Sequence, residues 1–170
     1  MNKKHSNLRV FITFLFLSLF FMISILLFSL NERKAMERVE TTIHQKDNIT
    51  IDVNLEISRT PRDIARGLMG RTKLSQNSGM LFVFDYKRDT DNGFWMYQTL
   101  IPLDIAFLDK EGKILSIHQM KPCRSKEFEE CPSTYPDYPY YYALEMNKDF
   151  FSENNLSEGD YLEIDFLKTK

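Results

Sequence analysis

Two carboxylates and one arginine are the residues of this sequence best suited to chemistry. Asp104 and Glu145 each lie in or beside an apolar, strand-like segment, and paired carboxylates can act as general acid and base. Arg71 directly follows Leu-Met-Gly, and a fixed guanidinium can bind a carboxylate or a sugar acid. The commoner outcome is structural, with Arg71 paired to Asp104 or Glu145 and the carboxylates capping loops. No nucleophile–base pair accompanies them, so the pattern favours binding over catalysis.

Trp95 and Asn147 complete the candidate ligand-binding set. Trp95 precedes Met96, and neighbouring residues of a strand face opposite sides, so one of the two is expected in the core. A core tryptophan is the commoner outcome, whereas an exposed one could stack on a sugar or a peptide. Glu145 and Asn147 are two residues apart and share a face if their segment is a strand. The candidate ligand-binding residues are Arg71, Trp95, Asp104, Glu145 and Asn147.

Tyrosines interleaved with prolines follow the second cysteine and could form the rim of such a site. Proline stiffens a loop, and tyrosine offers a large amphipathic contact area. The loop suits either a surface for a partner or a glycan, or a cover over one end of a barrel. The tyrosines are Tyr135, Tyr138, Tyr140, Tyr141 and Tyr142.

Methionines allow a copper-handling alternative, since thioethers favour Cu(I) and His118 lies two residues before Met120. Copper-binding sequences usually show closely spaced methionine runs, whereas here the methionines are scattered singly through apolar segments, which is typical of core filling. We therefore predict neither a metal site nor a cofactor. The methionines concerned are Met69, Met80, Met96, Met120 and Met146.

The only two cysteines, Cys123 and Cys131, lie in one short segment. An even pair so placed is typical of a disulfide in an oxidising compartment. A redox dithiol usually has the closer Cys-x-x-Cys spacing, and a metal site would need further ligands. We predict a structural disulfide.

An uncharged segment from Val10 to Leu30 predicts a membrane anchor. Its 21 residues can cross a bilayer as a helix, for which about 20 suffice. Lys3, Lys4 and Arg9 precede it, so the positive-inside rule keeps the N-terminus cytoplasmic and places the rest of this single-pass chain in the periplasm or outside the cell. The alternative is a cleaved signal peptide, but the apolar run is long for one and no Ala-x-Ala site follows.

The charge balance argues against a nucleic-acid partner. All 24 acidic residues but only 19 of the 22 basic ones follow Leu30, which gives that part a net charge of −5. Neutralisation of phosphates supplies most of the affinity for nucleic acids. We therefore expect the partners to be a membrane, through the N-terminal helix, and an envelope glycan or a membrane protein.

Four parts are predicted along the chain: a basic cytoplasmic segment at 1–9, the anchor at 10–30, a juxtamembrane stalk at 31–42 and a single globular domain at 43–170. In that domain, apolar and polar residues alternate from Ile49 to Ile57, which predicts a half-buried strand. Thr60 and Pro61 then suit the N-cap and first position of a short helix that ends near Gly70.

Six further strands are predicted at Met80–Phe84, Gly93–Tyr97, Ile105–Leu108, Lys113–His118, Tyr141–Met146 and Tyr161–Phe166. A hairpin turn at 109–112 and a second short helix capped by Asn147 complete the pattern. Without βαβ repetition, the expected fold class is α+β and mostly antiparallel: a compact barrel-like sheet with two short helices, besides the transmembrane helix.

Four segments together resemble one known family. They are Arg66–Arg71, Gly79–Phe84, Phe94–Phe107 and Tyr142–Asn147. The family is domain of unknown function 192, and the resemblance covers roughly Ile49 to Phe166. It implies a compact β-rich domain, often exported or membrane-anchored, without an established activity. The prolines flanking the cysteines, Pro122 and Pro132, also match a frequent variant of the family.

Two departures from the family pattern accompany this resemblance. Tyr97-Gln98 stand where the family commonly has Lys-Asn, and Lys148-Asp149 follow Asn147 where it has Ala-Gly. If the family's lysine serves a negative charge on a ligand, that contact is absent here.

The function expected from these residues is that of a non-catalytic ligand-binding or accessory module of the cell envelope, anchored in the membrane. The first alternative is an envelope-glycan hydrolase that uses Asp104 and Glu145, which requires the two carboxylates to meet across a cleft. The second is copper handling through the methionines and His118.

Overall fold

The computed structural model describes residues 12, 14–25 and 36–167. The chain divides into two compact units, Met1–Ala35 and Met36–Lys170. In the first unit, residues 14–25 are helical. Within the described residues, no helix is both long and apolar enough to cross a membrane. The predicted cytoplasmic segment, 1–9, and both ends of the predicted anchor lie outside the described residues.

The second unit is built from strands joined by short helical segments. Its strands are β1 (Arg38–His44), β2 (Thr50–Ser58), β3 (Ser78–Arg88), β4 (Phe94–Trp95), β5 (Leu103–Leu108), β6 (Ile114–Met120), β7 (Ser133–Thr134), β8 (Tyr140–Asn147) and β9 (Tyr161–Leu162). Its helices are α1 (Pro61–Arg66) and α2 (Phe150–Glu153), and 3-10 turns cover Phe128–Glu130 and Asp165–Leu167.

Seven strands form one curled sheet in the order β6-β5-β8-β3-β2-β1-β9. Its pairs are antiparallel, except that β2 and β3 are parallel and are connected through α1. Lys113, just before β6, also pairs with Tyr161 in β9, which draws the two ends of the sheet together into a half-barrel. Strands β4 and β7 form a separate two-stranded sheet.

The central strands are buried on both faces of the sheet. In β5, Leu103, Ile105 and Phe107 belong to one hydrophobic core, whereas Ala106 and Leu108 belong to the other. Successive side chains of a strand point to opposite faces, so each face of the sheet carries its own core. This two-sided burial explains why β5 reads as an almost continuous apolar run rather than as an alternating one.

The mostly antiparallel β architecture is confirmed, as are two local signals. The Thr60 hydroxyl accepts the Asp63 backbone N–H at 3.1 Å and so caps α1. The hairpin between β5 and β6 turns at Gly112, whose φ of 89° lies in the left-handed region that glycine favours. Its N–H donates to the Asp109 carbonyl at 3.2 Å.

Other elements differ from the sequence-based expectations. From Arg38 onward the predicted stalk is strand β1, which its weak apolar alternation did not reveal. The strands predicted at Gly93–Tyr97 and Tyr161–Phe166 are each reduced to two residues. Helix α2 starts after Asp149, not Asn147, and the Asn147 amide, which was expected to cap it, donates to the Ser75 carbonyl.

Gly79 offers a test of the close strand packing in the sheet. A Cβ at this position would overlap the sulfur of Met146 and the main-chain oxygen of Glu145, and the latter cannot move without displacing β8. We expect Gly79→Ala to lower the free energy of unfolding by about 1–3 kcal/mol, as overpacking of a filled core does. Urea denaturation measures this, with Ser78→Ala as the control. Equal stability of the two variants would contradict the described packing of β3 against β8.

Candidate functional site

Arg71 is engaged in an internal ion pair, but with a partner that the sequence did not indicate. Its Nη2 lies 2.5 Å from Oε2 of Glu56, and Nη2 of Arg38 lies 2.7 Å from Oε1 of the same carboxylate. Glu56 is only 6% exposed, so its charge requires such partners. The predicted partners, Asp104 and Glu145, were therefore wrong. The polar position of Glu56 in an alternating strand indicated solvent exposure, whereas Arg38 and Arg71 cover it.

Asp104 and Glu145 lie on opposite faces of the sheet. Asp104 pairs in register with Met146, and Glu145 pairs with Ile105. Directly paired residues share a face, so Asp104 faces the core that contains Met146 and Glu145 faces the core that contains Ile105. Both carboxylates are buried. The hydrolase hypothesis required them to meet across an open cleft, and this arrangement removes it.

Asp104 fixes the start of α2. Its carboxylate accepts backbone hydrogen bonds from Asp149 and Phe151, while its Oδ1 has no hydrogen-bond partner among the described residues. Burial raises the pKa of Asp104 to about 6, and the nearby charge of Asp149 adds to this shift. Its role is therefore loop fixation, the commoner outcome considered from the sequence.

Glu145 and Asn147 share a face of β8, as predicted, but have different structural roles. Burial raises the pKa of Glu145 to about 8, so at neutral pH this side chain is mostly a neutral acid within the core. The Asn147 amide donates to the carbonyls of Ser75 at 2.9 Å and Gln76 at 3.3 Å. It thereby fastens the loop that leads into β3, and its donor is not directed to a ligand.

Trp95 is the predicted site residue that remains open to solvent. Met96 is 1% exposed and fills the core, whereas Trp95 is 40% exposed. The expected division between the two neighbours is confirmed, but the core position is taken by the methionine and not by the tryptophan, which was the commoner outcome. The Trp95 ring meets Phe128 edge to face, with centroids 5.0 Å apart. Phe128 lies in the loop closed by the predicted Cys123–Cys131 disulfide, which is present.

A groove of about 370 Å³ lies beside Trp95, between α1, the outer part of β3 and β4. We call it the Trp95 groove. Apolar side chains of α1 and β3 form its floor, and charged and aromatic side chains form its rim. The charged and aromatic residues of this rim include Arg59, Asp85, Tyr86, Arg88 and Trp95.

A register shift in β3 shapes this groove. Val83 pairs with Tyr142 and Arg88 pairs with Tyr140, and the regular ladder is interrupted between the two pairs. Irregularities of this kind bend a strand and are frequent next to functional sites. Here the strand turns residues 84–88 away from the regular sheet, so that Asp85 and Tyr86 are exposed at the groove.

Arg88 is held in place by aromatic neighbours. Its guanidinium lies over the Phe84 ring at 4.8 Å and near the Tyr86 ring at 5.9 Å. It donates to the Tyr86 hydroxyl at 3.3 Å and hydrogen-bonds Tyr140, whose own hydroxyl donates to the Asn92 carbonyl at 2.7 Å. The buried Nε of Arg88 has no hydrogen-bond partner among the described residues.

Sequence reasoning missed the charged members of this rim. Arg59 precedes the capping Thr60, and Asp85 and Arg88 follow the apolar run of β3, but nothing in their spacing indicated that α1 would bring them together. The only local signal was the charge that follows directly after an apolar strand.

The tyrosine-rich loop divides between core and surface. Tyr140 is fully buried, whereas Tyr135 and Tyr138 are each 55% exposed. In the same loop, Oδ2 of Asp137 lies 3.3 Å from Nε2 of His118, so the loop closes over part of the core and also presents aromatic surface.

The methionines divide between the two cores of the sheet. Met80, Met96 and Met120 belong to one core and Met146 to the other, on opposite faces of the sheet. No cluster of three or more His, Cys, Asp or Glu residues suited to a metal occurs among the residues that the structure describes.

The chain is similar to one protein family and to solved structures of two bacterial proteins. The DUF192 family model, described as "Uncharacterized ACR", matches residues 41–164. A protein of Sinorhizobium meliloti 1021, whose structure carries the provisional description of transcription regulator, is 28% identical over 77% of this chain and 96% of that one, with a TM-score of 0.69. A protein of unknown function from Novosphingobium aromaticivorans DSM 12444 is 26% identical over 78% and 89%, with a TM-score of 0.66. No curated protein matches the chain.

The neutral Glu145 predicts a particular dependence of stability on pH. Its pKa is raised from 4.5 in the unfolded chain to about 8 in the folded one, so the folded state binds more protons between these values and the free energy of unfolding falls as pH rises through them. Each pKa unit corresponds to about 1.4 kcal/mol. We expect Glu145→Gln to be more stable than the parent at pH 9 and similar to it at pH 5.

Urea denaturation at pH 5, 7 and 9 measures this difference, with Glu129→Gln at the exposed disulfide loop as the control. The remaining pH dependence below about 6 would come from Asp104, whose raised pKa acts in the same direction. A Glu145→Gln variant that lost stability equally at all three pH values would contradict a neutral buried acid.

Proposed function

Because this chain belongs to the DUF192 family of uncharacterised proteins, no activity comes with its membership, and we propose from its own residues that it is a membrane-anchored, non-catalytic ligand-binding module of the cell envelope. The Trp95 groove is the binding site in this proposal. The observation that carries it is the combination, around one concave surface, of a half-exposed tryptophan with two arginines, Arg59 and Arg88. Ligand sites are typically concave and largely apolar, with a few convergent polar groups.

A catalytic role has less support than binding. The carboxylates singled out from the sequence, Asp104 and Glu145, are buried on opposite faces of the sheet. The rim of the groove offers arginine, aspartate and aromatic side chains, which suit recognition through charge, hydroxyl contacts and stacking.

Two features support the envelope location: the apolar N-terminal helix and the disulfide of the globular domain. Apolar side chains are exposed along the helical residues 14–25, among them Phe16, Phe20 and Ile23, which suits immersion of this segment in lipid. The Cys123–Cys131 disulfide suits an oxidising compartment such as the periplasm or the cell exterior. In this proposal the anchor spans 10–30, and the N-terminus is cytoplasmic.

The S. meliloti structure is described as a transcription regulator, but the charge of this chain favours transcription regulation less than ligand binding. The part after Leu30 has a net charge of −5, and basic surface is what attracts nucleic acid. The basic residues of the groove, Arg59 and Arg88, share it with Asp85. An envelope glycan is the partner that fits its aromatic and polar rim.

The anchor can be tested on the full chain expressed in a bacterium. We expect the protein in the membrane fraction after carbonate extraction, and protease added to spheroplasts should digest the domain, because the positive-inside rule places it outside the cytoplasm. Lys3, Lys4 and Arg9 changed together to glutamate should reduce this orientation. Mass spectrometry that found a new N-terminus near residues 29–31 would overturn the anchor in favour of a cleaved signal peptide.

The groove can be tested through Trp95, because it is the only tryptophan in the chain. Addition of a solubilised envelope-glycan digest to the full-length protein in detergent should change the Trp95 emission in a saturable manner. Ala65→Phe fills the groove from α1. We expect it to weaken ligand binding at least about tenfold, or by about 1.4 kcal/mol of binding free energy, because the larger side chain excludes the ligand.

Arg66→Phe is the matched control, since Arg66 is exposed on the same helix but does not line the groove. Circular dichroism verifies that both variants fold. A saturable response that is the same in both variants would place the ligand elsewhere, and no response in the parent protein would count against a glycan-binding module.

A further inference from the structure

We propose that the Trp95 groove is specific for a monoanionic, hydroxylated ring, that is, for an acidic sugar that carries one carboxylate. This inference rests on the proposed binding function and names its ligand class. The carboxylate would bind Arg59 and Arg88, the ring would lie against Trp95, and hydroxyl groups would meet Asp85. Each of these assignments depends on a different feature of the groove.

The charge of the rim selects a ligand with a single negative charge. Arg59 is exposed, and neither its side chain nor that of Asp85 has a hydrogen bond or an ion pair among the described residues. Two arginines and one aspartate leave one uncompensated positive charge at the rim. A carboxylate balances this charge, whereas a phosphate monoester carries about −1.5 to −2 at neutral pH and would meet repulsion from Asp85.

Arg88 provides a fixed donor for this carboxylate. Packing over Phe84 and the hydrogen bonds to Tyr86 and Tyr140 restrict its guanidinium, so little side-chain entropy remains to be lost on binding. A carboxylate is the acceptor that an arginine matches best.

Trp95 provides an apolar face for the ring. The indole is 40% exposed, yet its edge-to-face contact with Phe128 fixes its orientation. Phe128 is itself fixed by the disulfide loop and by a second edge-to-face contact with Tyr97, whose centroid is 5.8 Å away. A rigid aromatic surface with one open side is suited to the C–H face of a sugar.

Size and hydroxyl chemistry narrow the ligand further. The volume of about 370 Å³ is at the low end of the range of roughly 300–1,000 Å³ for small-molecule sites, so it suits one or two sugar rings. Asp85 is a carboxylate with free acceptor capacity, and hydroxyl groups are donors that it can satisfy. A purely aromatic acid would leave Asp85 without any such donor.

The test compares matched monosaccharides by the emission of Trp95 in the full-length protein. Methyl β-D-glucuronide and methyl β-D-glucoside differ only in the oxidation of C6, glucose 1-phosphate carries a second charge, and benzoate lacks hydroxyls. We expect the glucuronide to bind at least about tenfold more tightly than each of the other three. Increasing salt should weaken the binding of the glucuronide and leave the binding of the glucoside unchanged, since only the glucuronide is held by a charge interaction.

Variants assign the preference to the rim residues. Arg59→Gln, at an exposed position, should remove most of the preference for the glucuronide, and Arg66→Gln should retain it. Asp85→Asn should raise the affinity for glucose 1-phosphate relative to the glucuronide, because it removes the repulsion of the second charge. Circular dichroism and the unperturbed emission of Trp95 verify that each variant folds.

The possible negative results distinguish a wrong ligand class from a wrong function. Equal affinity for the glucuronide and the glucoside, or tighter binding of glucose 1-phosphate, would overturn the acidic-sugar assignment and leave the groove as a binding site. A response to the envelope-glycan digest without a response to any monosaccharide would do the same. Silence with the digest and with all four small molecules would overturn both this inference and the proposed function.

Discussion

Burial of the central strands on both faces is the constraint that decides where this domain can carry polar chemistry. Strand β5 is buried along its whole length, so any ionisable group on it must be neutralised or hydrogen-bonded inside the protein. Asp104 meets this demand through the backbone of α2 and a raised pKa, and Glu145, on the neighbouring strand β8, meets the same demand on the other face through a pKa of about 8. The two raised pKa values are consequences of burial in the fold. Side chains that contact external molecules must therefore lie at the edges of the sheet or where its strand pairing is irregular.

Glu56 shows how the same constraint acts near the edge of the sheet. It lies in register with Arg38 on β1 and with Met80 on β3, and the segment after α1 returns Arg71 to its carboxylate. The ion pair therefore joins β1, β2 and the crossover that makes β2 and β3 parallel. Removing one partner from a buried carboxylate is costly, so the positions of Arg38 and Arg71 are explained by the fold without a ligand.

The sequence predicted those elements that are determined by residues close to one another in the chain. Alternation in β2, the Thr60 cap and the short disulfide loop each depend on residues close together in the chain. Strand β1, the partner of Arg71 and the Trp95 groove depend on which distant segments meet, and no spacing encodes that choice. One departure from the family does have a local cause: Asp149, which stands where the family has glycine, adopts a φ of 67°, a conformation that glycine adopts at lower cost.

The groove differs from the interior of the sheet in that charged and aromatic side chains line a surface that is open to solvent. Elsewhere the polar groups considered from the sequence have hydrogen bonds or ion pairs within the chain, as Arg71, Asp104 and Asn147 do. At the register shift of β3, by contrast, the Arg88 guanidinium is fixed by aromatic packing, and Trp95 is oriented by Phe128 while it stays 40% exposed. Side chains that are already held in place lose little conformational entropy when a ligand binds them. Recognition is therefore the physical reason that we assign to this part of the fold.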